Sequence, residues 1–229
     1  NSSILILLEP TMPFVKQLDD LTIYYKESRD TFNDNFRLKM HRTLSWLKKA
    51  NEEENLDFKF IALWIAFNAA YADELSKEEI ERKVFHQFIT RLCELDSEHL
   101  LYGIIWDEFP GTVKALLDTP YTFQPFWDAH NGLLAGKEWK AMFSAAKKKA
   151  HFAFEEQKTA EVLEVVFGHL YTLRNQLIHG GATYESSTNR KQLEEASALL
   201  SLFVPAMVKI MLRNDSEPSW GKPFYPVVK

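Results

Sequence analysis

Apolar residues recur at steps of three and four along most of this chain, a pattern typical of amphipathic helices packed on one another. The pattern predicts about nine helices. The third predicted helix, residues 58–72, is apolar around almost its whole circumference. A helix of this kind is buried on all sides, so we expect it at the centre of the fold.

Breaks in the periodicity suggest how the chain is organised. Residues 97–135 hold three prolines and predict two or three short helices inserted between longer ones. The tail, 214–229, has no periodicity and is expected to lie extended over the bundle. Residues 1–12 are interpreted as a leader or an expression remnant. The remaining residues, 13–213, are predicted to form a single all-α domain.

Composition supports the helical reading and excludes several classes of protein. The chain has 229 residues, of which 46% are hydrophobic, with only 8 Gly and 9 Pro, so a sandwich or a barrel is disfavoured. Its single cysteine, Cys93, excludes an internal disulfide and a cysteine-based zinc site. The apolar run Ile4–Leu8 is too short to span a membrane. We therefore expect a cytoplasmic protein with no membrane partner.

The stretch with the most chemical information is Leu170–Gly181, at the end of the penultimate predicted helix. It contains Arg174, Asn175 and His179, followed by a pair of glycines. Five positions along a regular α-helix correspond to about 140° around the axis, so Arg174 and His179 do not share a face of a straight helix. A glycine just past a helix end adopts the left-handed cap, and the pair is expected to end the helix here and turn the chain.

This stretch resembles the HEPN superfamily, and in particular the Apea-like HEPN domains. Members carry an Arg, four to six residues and a His, often with Asn directly after the Arg. The resemblance implies a helical bundle that homodimerises so that two motifs face each other. In active members it also implies cleavage of RNA without a metal ion.

The resemblance also implies a role for each residue. His179 would act as the general acid or base at the 2′-hydroxyl or the leaving 5′-oxygen, and Arg174 would hold the scissile phosphate. Asn175 would orient one of them or bind a phosphate oxygen. Some HEPN toxins carry a Tyr two residues after the His, which a nucleotidyltransferase partner modifies. Gly181 stands at that position here, so such a partner is not supported.

Two other interpretations remain open at this point. The domain could be a catalytically silent HEPN module that binds RNA or a protein. Alternatively the motif could be accidental, with Arg174 a surface residue and His179 an ordinary helix cap. If the domain is an active ribonuclease, the resemblance implies a toxin or an anti-phage effector. An antitoxin or another regulatory protein would then be a further partner.

Further candidates follow from the chemistry of an RNA substrate. An acidic chain, with a net charge of -5, needs a local basic patch to bind phosphates. Segments 37–49 and 137–158 supply one each, and from them we select Arg37, Arg42, Lys147 and Lys148. Asn68 interrupts the apolar third helix and is interpreted as a structural amide or as support for the Arg174 and His179 site.

The histidines give no convincing metal-binding spacing. We therefore expect no metal ion and no cofactor.

Overall fold

The computed structural model describes residues 14–71 and 78–227, and within those ranges it contains ten α-helices and no strand. The predicted all-α class is confirmed. The expectation for residues 1–12 lies outside the described residues. The helices are α1 (Phe14–Ser28), α2 (Asp34–Glu52), α3 (Leu56–Tyr71), α4 (Glu78–Leu95), α5 (Leu100–Gly103), α6 (Pro110–Asp118), α7 (Gln124–His130), α8 (Glu138–Glu155), α9 (Thr159–Ile178) and α10 (Arg190–Arg213).

The α3 helix lies at the centre of the bundle, as its apolar circumference predicts. It packs against α2, α10 and α9. The ring of Phe67, on α3, lies 4.6 Å from that of Phe167 on α9 and 6.2 Å from that of Phe203 on α10. All three side chains are buried, so the aromatic contacts join the central helices into one core.

The last long helix, α10, is long and apolar enough to cross a membrane by length and composition alone. In the bundle, 78% of its most apolar stretch is buried inside the protein. Its hydrophobicity is thus accounted for by core packing, including Leu200, Phe203 and Met207, which have no exposed surface.

Short helices occupy the region where the prolines predict them. The α5, α6 and α7 helices alternate with a π-helical turn, Ile104–Glu108, and a 3-10 turn, Pro120–Thr122. This region packs against α8 and α9. At the 3-10 turn, the hydroxyl of Thr122 and Nδ1 of His169, on α9, share a buried hydrogen bond of 2.7 Å.

The tail crosses the bundle and is fastened to α2 and α4. Trp220 is buried, and its ring lies 5.8 Å from that of Phe88. Its carbonyl accepts a 2.6 Å hydrogen bond from Nζ of Lys39, a lysine with no exposed surface. Glu217 pairs with Arg91 at 2.6 Å.

Candidate functional site

Glycine ends the motif helix in the way the sequence predicts. Gly180 has φ 69°, in the left-handed region. Its N–H donates to the carbonyl of Leu177 at 3.3 Å, and the N–H of Gly181 donates to that of Gln176 at 2.7 Å. These two bonds are the Schellman pattern of helix termination. The helix is regular through Ile178, and His179 is the capping residue.

The second glycine, Gly181, packs closely against the end of the helix. A Cβ atom on Gly181 would lie 3.0 Å from the carbonyl oxygen of Gln176 and 3.3 Å from its Cα. Both are backbone atoms that cannot move without disturbing the helix end. A tyrosine at this position would therefore strain the cap that positions His179.

Arg174 and Asn175 are brought together. Nη1 of Arg174 donates to Oδ1 of Asn175 at 2.8 Å, and its guanidinium lies 6.0 Å from the ring of Tyr171, one turn earlier. Tyr171 in turn contacts the ring of Trp64 on α3. Arg174 forms no ion pair within the described residues. Its charge is held in place by an amide and a ring, neither of which neutralises it.

The side chain of His179 is not hydrogen-bonded to this pair. It is exposed, and its imidazole makes no hydrogen bond to another group in the part of the chain that the structure describes. Within one chain, Arg174 is bonded to Asn175 and not to His179. The motif thus offers a cation hydrogen-bonded to Asn175 and an exposed imidazole that is not bonded to it.

The segment that follows the motif is tied back to the start of α3 through Asp57. One carboxylate oxygen of Asp57 accepts from the N–H of Glu185 at 3.0 Å, and the other pairs with Arg190 at 2.7 Å. Asn55 adds a 2.7 Å bond from Nδ2 to the hydroxyl of Tyr184. These bonds fix the loop between α9 and α10.

Gln176 is a structural residue of the motif that sequence reasoning missed. Its Nε2 donates to the carbonyl of Tyr121 at 2.7 Å, and its Oε1 accepts from Nδ2 of Asn189 at 2.6 Å. The side chain thus joins the end of α9 to the short-helix region and to the start of α10. Its place inside the motif was the only signal in the sequence.

Asn68 lies on α3, one turn after Trp64, and is half-buried. Its amide makes no side-chain hydrogen bond within the described ranges. A half-buried amide can be solvated, so the fold does not demand an internal partner. Support of Arg174 and His179 by Asn68 stays a prediction.

The predicted basic residues of α2 are engaged within the protein. Arg37 pairs with Asp34 at 2.6 Å, and Nη1 of Arg42 donates to the carbonyl of Tyr225, in the tail, at 2.7 Å. Their neighbour Lys39, counted in the same basic segment, is buried beneath the tail. RNA binding by Arg37 and Arg42 stays a prediction, and it would require these pairs to open.

The basic residues of α8 have fewer partners within the protein than those of α2. Lys147 pairs with Asp118 at 2.9 Å, and His151 bonds the same carboxylate at 2.7 Å. The hydrogen bonds from His151 and Lys147 lower the pKa of Asp118. Lys148 is exposed and forms no ion pair with any described residue.

No group of three metal-ligating side chains occurs among the described residues. Cys93 is half-buried, and burial raises the pKa of its thiol to about 12, so it carries no thiolate at neutral pH.

Exposed apolar residues lie on the motif helix α9, on α3 and on the loop after α9. Phe58 and Tyr184 are in ring contact at 6.0 Å and are 57% and 64% exposed. Tyr171 and Ile178, on α9, are also exposed. Exposed apolar side chains that contact one another, as Phe58 and Tyr184 do, are typical of an interaction surface.

Comparison of the chain with models of known protein families, with curated proteins and with solved structures finds no match.

Proposed function

We propose that this protein is a metal-independent endoribonuclease that cuts single-stranded RNA, as its resemblance to the HEPN superfamily implies. One observation carries the proposal. The glycine-capped end of α9 presents an un-neutralised Arg174, held by Asn175, together with an exposed imidazole at His179. A phosphate-binding cation and a general acid or base are the two groups that such a reaction needs.

The chemistry assigned to these groups is an internal transfer of the phosphoryl group. The 2′-oxygen of the RNA bonds to phosphorus while the bond from phosphorus to the 5′-oxygen breaks. An imidazole accepts the 2′-hydroxyl proton or donates one to the leaving 5′-oxygen. Arg174 stabilises the charge on the phosphate, and Asn175 keeps its guanidinium in position. The products are a 2′,3′-cyclic phosphate and a 5′-hydroxyl.

The proposed enzyme acts as a homodimer. Within one chain Arg174 and His179 are not bonded to each other, and a second copy would bring another Arg174 and another His179 to the same place. The exposed Tyr171 and Ile178, on the motif helix, favour such an association. A role as a toxin or anti-phage effector in the cytoplasm, restrained by an antitoxin or regulator, rests on the resemblance alone.

The test is cleavage of an end-labelled single-stranded RNA in EDTA by the wild type, Arg174→Ala and His179→Ala. We expect each variant to lose about 100-fold or more in rate, because each removes a transition-state interaction. His86→Ala, an exposed histidine on α4, is the matched control and should cleave normally. Equal cleavage by all four proteins, with the dimer confirmed by sedimentation, would contradict the proposal.

An RNA-binding module without activity is the second candidate. The lack of a bonded Arg174 and His179 pair within one chain favours it if the protein proves monomeric. In that case the wild type would bind the labelled RNA and leave it intact.

A further inference from the structure

Six aromatic side chains lie together on the 3-10 turn at Pro120–Thr122, on α7, on the residue between them and on α8. We call them the aromatic platform: Tyr121, Phe123, Phe126, Trp127, Trp139 and Phe143. None of them is buried, and Tyr121 is 51% exposed. The α7 helix has no buried residue at all. Aromatic side chains normally supply core packing, so a group of six of which none is fully buried needs another explanation.

The platform is ordered by contacts among its own rings. The ring of Phe126 is central, 5.5 Å from Tyr121, 5.1 Å from Trp127 and 4.9 Å from Trp139, each at a nearly perpendicular angle. Phe143 lies 6.4 Å from Trp139. Such edge-to-face contacts fix the rings and leave them partly accessible.

The platform adjoins the proposed catalytic motif. The carbonyl of Tyr121 accepts hydrogen bonds from Nε2 of Gln176, at 2.7 Å, and from Nε1 of Trp127, at 2.8 Å. Gln176 lies between Arg174 and His179 in the chain. The buried bond between Thr122 and His169 adds a second attachment to α9.

The charge around the platform favours a polyanion. Residues 121–149 contain five lysines against Asp128 and Glu138, in a chain whose net charge is -5. Nζ of Lys140 lies 5.9 Å from the ring of Trp139. Aromatic rings interleaved with lysines are the features with which proteins bind single-stranded nucleic acid: bases stack on the rings and phosphates face the cations.

We infer that the aromatic platform binds unpaired bases of single-stranded RNA and leads the strand to Arg174 and His179. This inference rests on the proposed function and adds the path of the substrate to it. Double-stranded RNA is excluded from the platform, because its bases are already stacked on each other and have no free face.

The test measures binding in the His179→Ala background, where cleavage does not interfere. The probes are a fluorescently labelled oligouridine of about 12 nucleotides and an abasic ribose-phosphate strand of equal length. We expect the oligouridine to bind more tightly than the abasic strand. Adding Tyr121→Ala should weaken oligouridine binding by about 5- to 150-fold, the range measured for one stacked base, and leave the abasic strand unaffected.

One further variant, Tyr121→Leu, isolates stacking, and Tyr225→Ala serves as its control. Tyr121→Ala retains the backbone carbonyl that Gln176 and Trp127 use, and Tyr121→Leu also retains apolar bulk, so both should lose the same preference for bases. Tyr225→Ala is the matched control, since Tyr225 is also an exposed tyrosine whose carbonyl is a hydrogen-bond acceptor. It should bind like its parent.

Equal affinity for the two strands, or unchanged oligouridine binding by Tyr121→Ala, would overturn the inference. These results are separable from the fate of the proposed function. Preference for bases together with an inactive wild type would contradict the nuclease and support the platform. Cleavage by the wild type without any preference for bases would support the nuclease and contradict the platform.

Discussion

Two lysine- and arginine-rich segments, on α2 and on α8, have similar composition and opposite surroundings. On α2, Arg37, Lys48 and Lys49 pair with carboxylates in or next to the same helix, while Lys39 and Arg42 bind carbonyls of the tail. Of the lysines on α8, only Lys147 has a carboxylate partner among the described residues, in Asp118, which also bonds His151. Lys148 and Lys149 are exposed and without ion pairs in the same part of the chain.

The difference shows that the number of Lys and Arg residues in a segment does not tell how many of them can bind a phosphate. A cation that already has a buried or bonded partner must lose it before it can meet a phosphate. On α2, Lys39 and Arg42 attach the tail, and the other three cations pair with carboxylates in or next to the helix. The α8 segment, which shares its helix with part of the aromatic platform, has two exposed lysines, Lys148 and Lys149, without ion pairs to described residues.

The largest expected effect is a difference in protein stability between a lysine substitution on α2 and one on α8. Lys39→Ala removes a fully buried stem and leaves the carbonyl of Trp220 without its donor, so we expect a loss of about 3 kcal/mol or more in the free energy of unfolding. Lys148→Ala, at an exposed position, should change it by less than about 0.5 kcal/mol. Urea unfolding measures both.

A companion variant identifies the cause of the loss. Lys39→Met keeps most of the stem volume and removes only the ammonium, so it should cost about 1 to 3 kcal/mol. Near-wild-type stability of Lys39→Ala would mean that the α2 segment does not anchor the tail, and the contrast with α8 would disappear.

The next effect concerns the attachment of the short-helix region, which carries part of the aromatic platform, to α9. The tail is fastened by charged groups, but the short-helix region is fastened to α9 partly through neutral His169, whose pKa burial lowers to about 4. Because the folded-state pKa lies below the unfolded value of about 6.5, this group contributes stability above pH 6.5 that is lost as the pH falls towards 4.

We expect about 2 kcal/mol of the stability lost between pH 7.5 and pH 5.0 to come from this group. His169→Gln should remove that part of the pH dependence in urea unfolding. Thr122→Val is the matched control. It deletes the hydroxyl partner and keeps the imidazole, so it should lower stability by about 1 kcal/mol at both pH values. Equal pH dependence in the wild type and His169→Gln would contradict the assignment.

The smallest effect is on the salt dependence of RNA binding. In the His179→Ala background, adding Lys147→Ala and Lys148→Ala should reduce the slope of log affinity against log salt by about 0.7 for each phosphate that the protein no longer neutralises. Adding Arg37→Ala and Arg42→Ala should change it less, because both guanidiniums are engaged internally. The reverse order would show that the tail leaves α2 when RNA binds.

The end of α9 was predictable because all its interactions are local. Gly180 and Gly181 terminate the helix through bonds to carbonyls three and five residues earlier, and such a cap is determined by nearby residue types. The bond between Arg174 and Asn175 also joins neighbours. The motif could therefore be located, and the way its helix ends foreseen, without a fold.

The sequence by itself determined an all-α protein with a central α3, short helices in the proline-rich region and a glycine-capped motif, since periodicity and capping act over a few residues. Only the tertiary structure decided which Lys and Arg side chains are engaged by partners elsewhere in the protein. Lys39 and Arg42 meet their partners 181 and 183 residues away, and Gln176 meets Tyr121 across 55. Interactions at such separations depend on how whole helices dock, and no local pattern encodes them.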